Sequence, residues 1–135
     1  MEITDATIDR LVEAASRARA AAYAPYSGFA VGAAVLTDDG SIFTGANVEN
    51  ASYGLSVCAE RHAIGTAVGN GHRSLVALAV VTSTTPPSSP CGACRQVITE
   101  FGPMAVILAN LEGARIVTGS EELLPMAFTP RSLGT

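Results

Sequence analysis

The chain has few basic residues, and they are scattered. Eight Lys and Arg stand against twelve Asp and Glu over 135 residues, for a net charge of −4. Binding a polyanion would need clustered Lys and Arg, so a nucleic-acid partner is not expected. No apolar run approaches the roughly 20 residues needed to span a bilayer, so no membrane association is expected either. The start of the chain, Met1 to Asp5, is acidic and cannot be the basic opening of a signal peptide. The expected location is therefore the cytoplasm. Internal repeats, linkers and low-complexity stretches are also missing, and residues 1–135 read as a single domain. Only 15% of the residues are charged, while 48% are apolar. That balance argues against disorder and suits a compact core with part of the surface buried against other subunits.

Cysteine is scarce as well. Three cysteines cannot all pair within one chain, and in a reducing compartment they read as thiols or metal ligands. Asn50-Ala51-Ser52 fits a glycosylation sequon, which carries no meaning without a secretory route.

The periodicity describes an α/β chain. Ile8, Leu11, Val12, Ala15, Ala18 and Ala22 recur at helical spacing, with Thr4 or Asp5 to cap the start and Pro25 to end the helix. Phe29–Leu36 and Ile42–Val48 read as strands joined at Asp38-Asp39-Gly40, a hairpin signal. Cys58–Val68 reads as a short helix closed by Gly69-Asn70-Gly71. Leu75–Val81 is a continuous apolar run with β-branched members, as in a strand buried on both faces. A polar, proline-rich loop, Thr82–Pro90, leads to a second short helix, Cys91–Glu100, which Gly102-Pro103 breaks. Ala105–Ala109 and Arg115–Thr118 read as two further strands around a turn at Asn110–Gly113, and Ser120-Glu121-Glu122 as the cap of a last helical turn. The expected fold is a three-layer α/β/α sandwich around a mixed five-stranded sheet.

Chemistry concentrates in Cys58-Ala59-Glu60 and Pro90-Cys91-Gly92-Ala93-Cys94. Alone, Cys91 and Cys94 form a CxxC, which suits a redox pair or half of a zinc site. At i, i+3 they share a helix face, and Cys58 supplies a third thiolate from the start of another helix. Three thiolates on Zn²⁺ leave the fourth tetrahedral position without a protein ligand; structural sites close that position, whereas catalytic sites leave it to water. Glu60 lies too close to Cys58 in sequence for both to bind one metal comfortably, but it is placed to reach the water. A zinc-activated water with a non-ligand Glu carrying protons is the arrangement already described for zinc nucleobase deaminases.

Three thiolates bring the site to −1 and weaken the metal's pull on its water, whose pKa must fall towards about 7. Helix amino termini at the sulfurs would draw off part of that charge. Arg61 would do the same by donating hydrogen bonds to the sulfurs, although its plainer reading is a solvated surface residue.

Over nearly its whole length the chain resembles the small cytidine deaminases. The likeness is carried by Tyr23–Phe29 (YAPYSGF), Gly45–Tyr53 (GANVENASY), Cys58–Arg61 (CAER), Pro90–Gln96 (PCGACRQ) and Glu122–Phe128 (ELLPMAF), in that order. The resemblance implies zinc on Cys58, Cys91 and Cys94, and hydrolytic deamination of cytidine and 2′-deoxycytidine in pyrimidine salvage, with Glu60 as proton shuttle. It implies that Asn47 and Glu49 hold the ribose hydroxyls, chiefly the 3′-OH. Phe29 would pack against the nucleoside, and the backbone of Ala59 would receive the exocyclic amine. It further implies a homotetramer whose sites borrow residues from neighbouring chains, with Tyr53 and Phe128 as those contributions. Two positions depart from the pattern: Met126 stands where many members have Gly, and His62 where Thr is common.

Read without the resemblance, Asn47 is a turn cap at a strand end, Phe29 is core, and His62 and His72 are structural or surface residues. Three other functions compete. A nucleoside-antibiotic deaminase would share the zinc site but lack the Asn-Val-Glu-Asn run. A structural zinc module would want a fourth Cys or His and would leave Glu60 without a role. An enzyme acting on polynucleotide would need a basic groove, which this sequence does not have.

Overall fold

The computed structural model describes residues 3–134. Met1 and Glu2, and with them part of the acidic start, lie outside the described residues, as does Thr135. The order is α1 (Asp5–Arg19), β1 (Gly32–Thr37), β2 (Ile42–Ala46), α2 (Ala59–Gly69), β3 (Leu75–Thr82), α3 (Gly92–Phe101), β4 (Ala105–Asn110), β5 (Arg115–Gly119) and α4 (Ser120–Leu123). Short 3₁₀ turns cover Tyr53–Leu55 and Pro130–Leu133. The five strands form one mixed sheet in the order β2-β1-β3-β4-β5, in which only β3 and β4 run parallel.

Strand alternation sorts the core into two layers. Ala33, Val35, Leu78, Val80, Val106 and Leu108 face α2 and α3, where they meet Ala63, Ile64, Ala67 and Ile98. Ala34, Leu36, Ala77, Ala79, Val81 and Ile107 face α1 and its stripe Ile8, Leu11, Val12 and Ala15. The expected three-layer sandwich is therefore the observed one. Residues such as Leu11, Leu78 and Ile98 are almost wholly buried, and each contributes on the order of 1.5–3 kcal/mol. Small residues on β3 let α1 lie close to the sheet. At Gly32 the approach is closest: a Cβ there would stand 2.0 Å from the Ala15 carbonyl oxygen.

Three expected boundaries are corrected. Helix α1 stops at Arg19 and not near Pro25, because Tyr23 is drawn into a bridge with Val48: its N–H donates to Asn47 O (2.9 Å) and its carbonyl accepts from Glu49 N (2.8 Å). The first strand starts at Gly32 and not Phe29, because side chains replace ladder partners before it. Asn47 Nδ2 donates to Phe29 O and Asn47 Oδ1 accepts from Val31 N, both at 2.8 Å, while Arg19 Nε donates to Ala30 O at 3.0 Å. Ser120 does not cap α4; Gly119 occupies that position, and Ser120 Oγ instead accepts from the buried Met104 N–H at 3.0 Å.

Candidate active site

Two helix starts converge on the three cysteines. Cys58 is the N-cap of α2 and Cys91 the N-cap of α3, so both sulfurs lie at positive dipole ends among backbone N–H groups without intrahelical partners. One turn into α3, Cys94 is buried, and its backbone N–H points at Cys91 Sγ (3.5 Å). The three sulfurs lie within 4.8 Å of one another, and Cys58 Sγ and Cys91 Sγ are 3.8 Å apart. Tetrahedral Zn²⁺ with Zn–S bonds near 2.3 Å requires sulfurs roughly 3.8 Å apart. The donor set fits zinc in chemistry and in spacing.

The electrostatics favour thiolate at Cys58 and thiol at Cys94. The Cys58 thiol is pulled down to about 5, first by a hydrogen bond from Cys94 and then by Arg61, while that same bond and burial push Cys94 up. Arg61 Nη2 lies 3.7 Å from Cys58 Sγ and 3.5 Å from Ser56 O, which places the guanidinium against the sulfurs and not in solvent. Glu60, on the first turn of α2, is 5% exposed, and burial pushes its carboxyl above the usual range.

Ala59 is completely buried because Gly45 on β2 admits the start of α2. A Cβ at Gly45 would meet Ala63 N at 2.5 Å and Ala59 O at 2.7 Å. His62 ties the same helix to the end of β2, with Nδ1 2.8 Å from Ala46 O, which makes it structural as expected. His72 stands at the hairpin, 3.8 Å from Asp39.

Asn47 and Glu49 follow directly on β2, and both are engaged with this chain's own backbone. Asn47 holds the Phe29–Val31 segment as described above. Glu49 accepts from Tyr26 N (3.0 Å), Ser27 N (3.2 Å) and Ser27 Oγ, and the Ser27 bond keeps its carboxyl below its usual value. Phe29 stays 38% exposed at the edge of this loop rather than in the core. Tyr53 stacks edge-on against Tyr26, ring centroids 5.8 Å apart, and remains 75% exposed. Phe128 is 59% exposed, and its carbonyl accepts from Gln96 Nε2 at 2.7 Å.

Sequence reasoning singled out neither Gly45 nor Arg95. Arg95 donates to Pro90 O (2.9 Å), Ser89 Oγ (2.7 Å) and Leu123 O (2.7 Å), and the only hint of this was its place directly after Cys94. Met126 adopts φ 55°, a left-handed conformation that Gly takes without cost and other residues rarely adopt. Concavities of about 590 and 830 Å³ flank α4 and the tail, and neither includes a cysteine. Tyr26, Phe29, Val48 and Tyr53 are all exposed.

Residues 5–110 match the family model described as the cytidine and deoxycytidylate deaminase zinc-binding region. A cytidine deaminase of Sporosarcina psychrophila is 51% identical over 128 residues, covering 93% of this chain and 94% of its own. One of Halalkalibacterium halodurans is 52% identical over 125 residues, covering 91% and 95%. The crystal structure of cytidine deaminase from Burkholderia pseudomallei superposes with a TM-score of 0.87 at 54% identity, covering 89% of this chain and 98% of that one. With its three thiols at zinc spacing, a buried glutamate beside them and this breadth of likeness, the chain belongs to the cytidine and deoxycytidylate deaminase family.

Proposed function

We propose that the chain hydrolyses cytidine and 2′-deoxycytidine to uridine and 2′-deoxyuridine with release of ammonia, as a step of pyrimidine salvage in the cytoplasm. The observation that carries this reading is the three-thiol cluster with Glu60 buried beside it. Zinc on Cys58, Cys91 and Cys94 would supply Lewis-acid chemistry that makes water a nucleophile near neutral pH. Glu60 does what a metal cannot, which is to move protons to the base. Its carboxyl takes a proton from the attacking water and gives it to N3 of cytosine as oxygen adds to C4, then takes the remaining proton of the new C4 hydroxyl and delivers it to the amine as the C4–N bond breaks and ammonia leaves. Burial excludes competing water from that carboxyl. The backbone at Ala59, fixed by the close contact with Gly45, receives the exocyclic amine.

Asn47 and Glu49 hold the sugar with the capacity their backbone bonds leave. Asn47 Nδ2 keeps a second hydrogen and Glu49 keeps unused lone pairs, which together suit the 3′-OH as donor and acceptor. Phe29 covers the nucleoside from the same loop.

Tyr53, Leu55 and Phe128 are each more than half exposed, apolar side chains that a neighbouring chain would cover. The functional unit in this reading is a homotetramer in which Tyr53 and Phe128 complete neighbouring sites. Among the described residues no helix is long and apolar enough to cross a membrane.

The test is conversion of cytidine to uridine, followed by absorbance with and without chelator, on samples sized at assay concentration. The expected result is chelator-sensitive turnover by a species of about four chains. A fully active monomer would remove the shared sites, and no turnover of cytidine would remove the substrate assignment.

A further inference from the structure

Arg95 occupies an unusual place. It follows Cys94 on α3, yet its guanidinium reaches two segments far apart in sequence. Nε donates to Pro90 O at 2.9 Å and Nη2 to Ser89 Oγ at 2.7 Å, gripping the two residues that deliver Cys91. Nη1 donates to Leu123 O at 2.7 Å, at the last residue of α4, where the tail begins. The next residue, Gln96, binds the same tail further on, at Phe128 O. A guanidinium is a rigid plane, so a shift of Leu123 on one side is passed to Pro90 on the other.

We infer that Arg95 is a positioning residue that joins the Cys91 ligand turn and the C-terminal tail into one mechanical unit, so that metal retention and tail docking are linked. The inference rests on Cys91 being a zinc ligand. Linkage of this kind is reciprocal at the Arg95 contact: holding the metal steadies the start of the tail at Leu123, and freeing Leu123 loosens the metal, whereas freeing the tail further on, at Phe128, leaves Arg95 in place. Gln96 touches the tail alone and serves as the control.

Two rates read the linkage in the zinc-loaded protein: transfer of zinc to a chelating dye, and trypsin cleavage after Arg131, an exposed tail residue. Loss of a residue that orients a metal ligand typically weakens metal binding by about 10–100-fold. Arg95→Ala is expected to release zinc faster by roughly that factor and to be cut after Arg131 faster as well. Arg95→Lys should behave similarly, because one ammonium cannot serve three acceptors in a plane. Gln96→Ala should be cut faster but keep its zinc.

Wild-type protein supplies an arm that does not depend on any variant folding. Stripping zinc should speed cleavage after Arg131 by about 5-fold or more, within the usual range for coupled sites, while cleavage after Arg17 on α1 stays nearly unchanged. Zinc release from Arg95→Ala at the wild-type rate would overturn the inference, as would equal release from Gln96→Ala. So would a stripped protein cut no faster after Arg131, or equally faster after Arg17. The ligand reading beneath it fails on a separate result, full zinc content in Cys91→Ser.

Discussion

Cys58 Sγ and Cys91 Sγ stand 3.8 Å apart although 33 positions separate them, because α2 and α3 both begin at the same spot above the sheet. That separation matches two thiolates on one tetrahedral zinc, and Cys94 completes the set. The expected content is one zinc per chain, falling to near zero in Cys58→Ser or Cys94→Ser. Elemental analysis of the purified protein checks this, and a Cys94→Ser protein with full zinc would refute the ligand set.

Asn47 and Glu49 each hold this chain's own loop, and in the proposed function they also hold the sugar; sugar analogues separate the two roles. A site built around a hydroxyl rejects a substrate lacking it by about 10⁴-fold. Cytidine and 2′-deoxycytidine should therefore turn over comparably, and 2′,3′-dideoxycytidine should be poorer by orders of magnitude in kcat/KM. Equal turnover of cytidine and the dideoxy compound would leave Asn47 and Glu49 with only the loop to hold.

Gly45 sets how closely α2 lies on β2. A Cβ there meets backbone atoms at 2.5 and 2.7 Å, and backbone cannot swing aside as a side chain would. Gly45→Ala is expected to cost about 1–3 kcal/mol of stability. It should also lower kcat, because the helix start that moves carries Ala59 and Glu60. Denaturant unfolding and steady-state kinetics on the same sample check both effects.

Met126 points in the opposite direction. Its left-handed φ costs about 1–2 kcal/mol that Gly would not incur. Gly adds about 0.5–1 kcal/mol of chain entropy to the unfolded state. The side chain is fully exposed, so its removal loses no packing within the chain. Met126→Gly should accordingly raise Tm by a small amount, about 2 °C, as read by calorimetry. A clear fall in Tm would mean that Met126 is packed against a neighbouring chain.

Much of the architecture was legible in the sequence because it depends on local pattern. The buried strand Leu75–Thr82 declares itself through its apolar run, and the two short helices after Cys58 and Cys91 through the Gly69-Asn70-Gly71 and Gly102-Pro103 breaks that end them. What could not be read depends on partners distant in sequence. Phe29 to Val31 have strand-like composition, yet Asn47 and Arg19 take the hydrogen bonds that a ladder would have used. Ser120 looks like a cap until Met104 N–H is found to need its hydroxyl. Arg95 gave no local sign of its reach to Leu123, 28 positions away.

The central claim is that Glu60 carries the protons of the reaction while the three cysteines hold the metal. Glu60→Gln preserves shape and a polar terminus but cannot carry a proton. A general acid–base residue typically accounts for about 10²–10⁴ in rate, and one acting at both N3 and the leaving amine belongs near the top of that range. The deciding measurement is kcat for cytidine together with zinc per chain in Glu60→Gln. The account predicts unchanged zinc and a loss of at least roughly 10³ in kcat; full zinc with only a few-fold loss would contradict it.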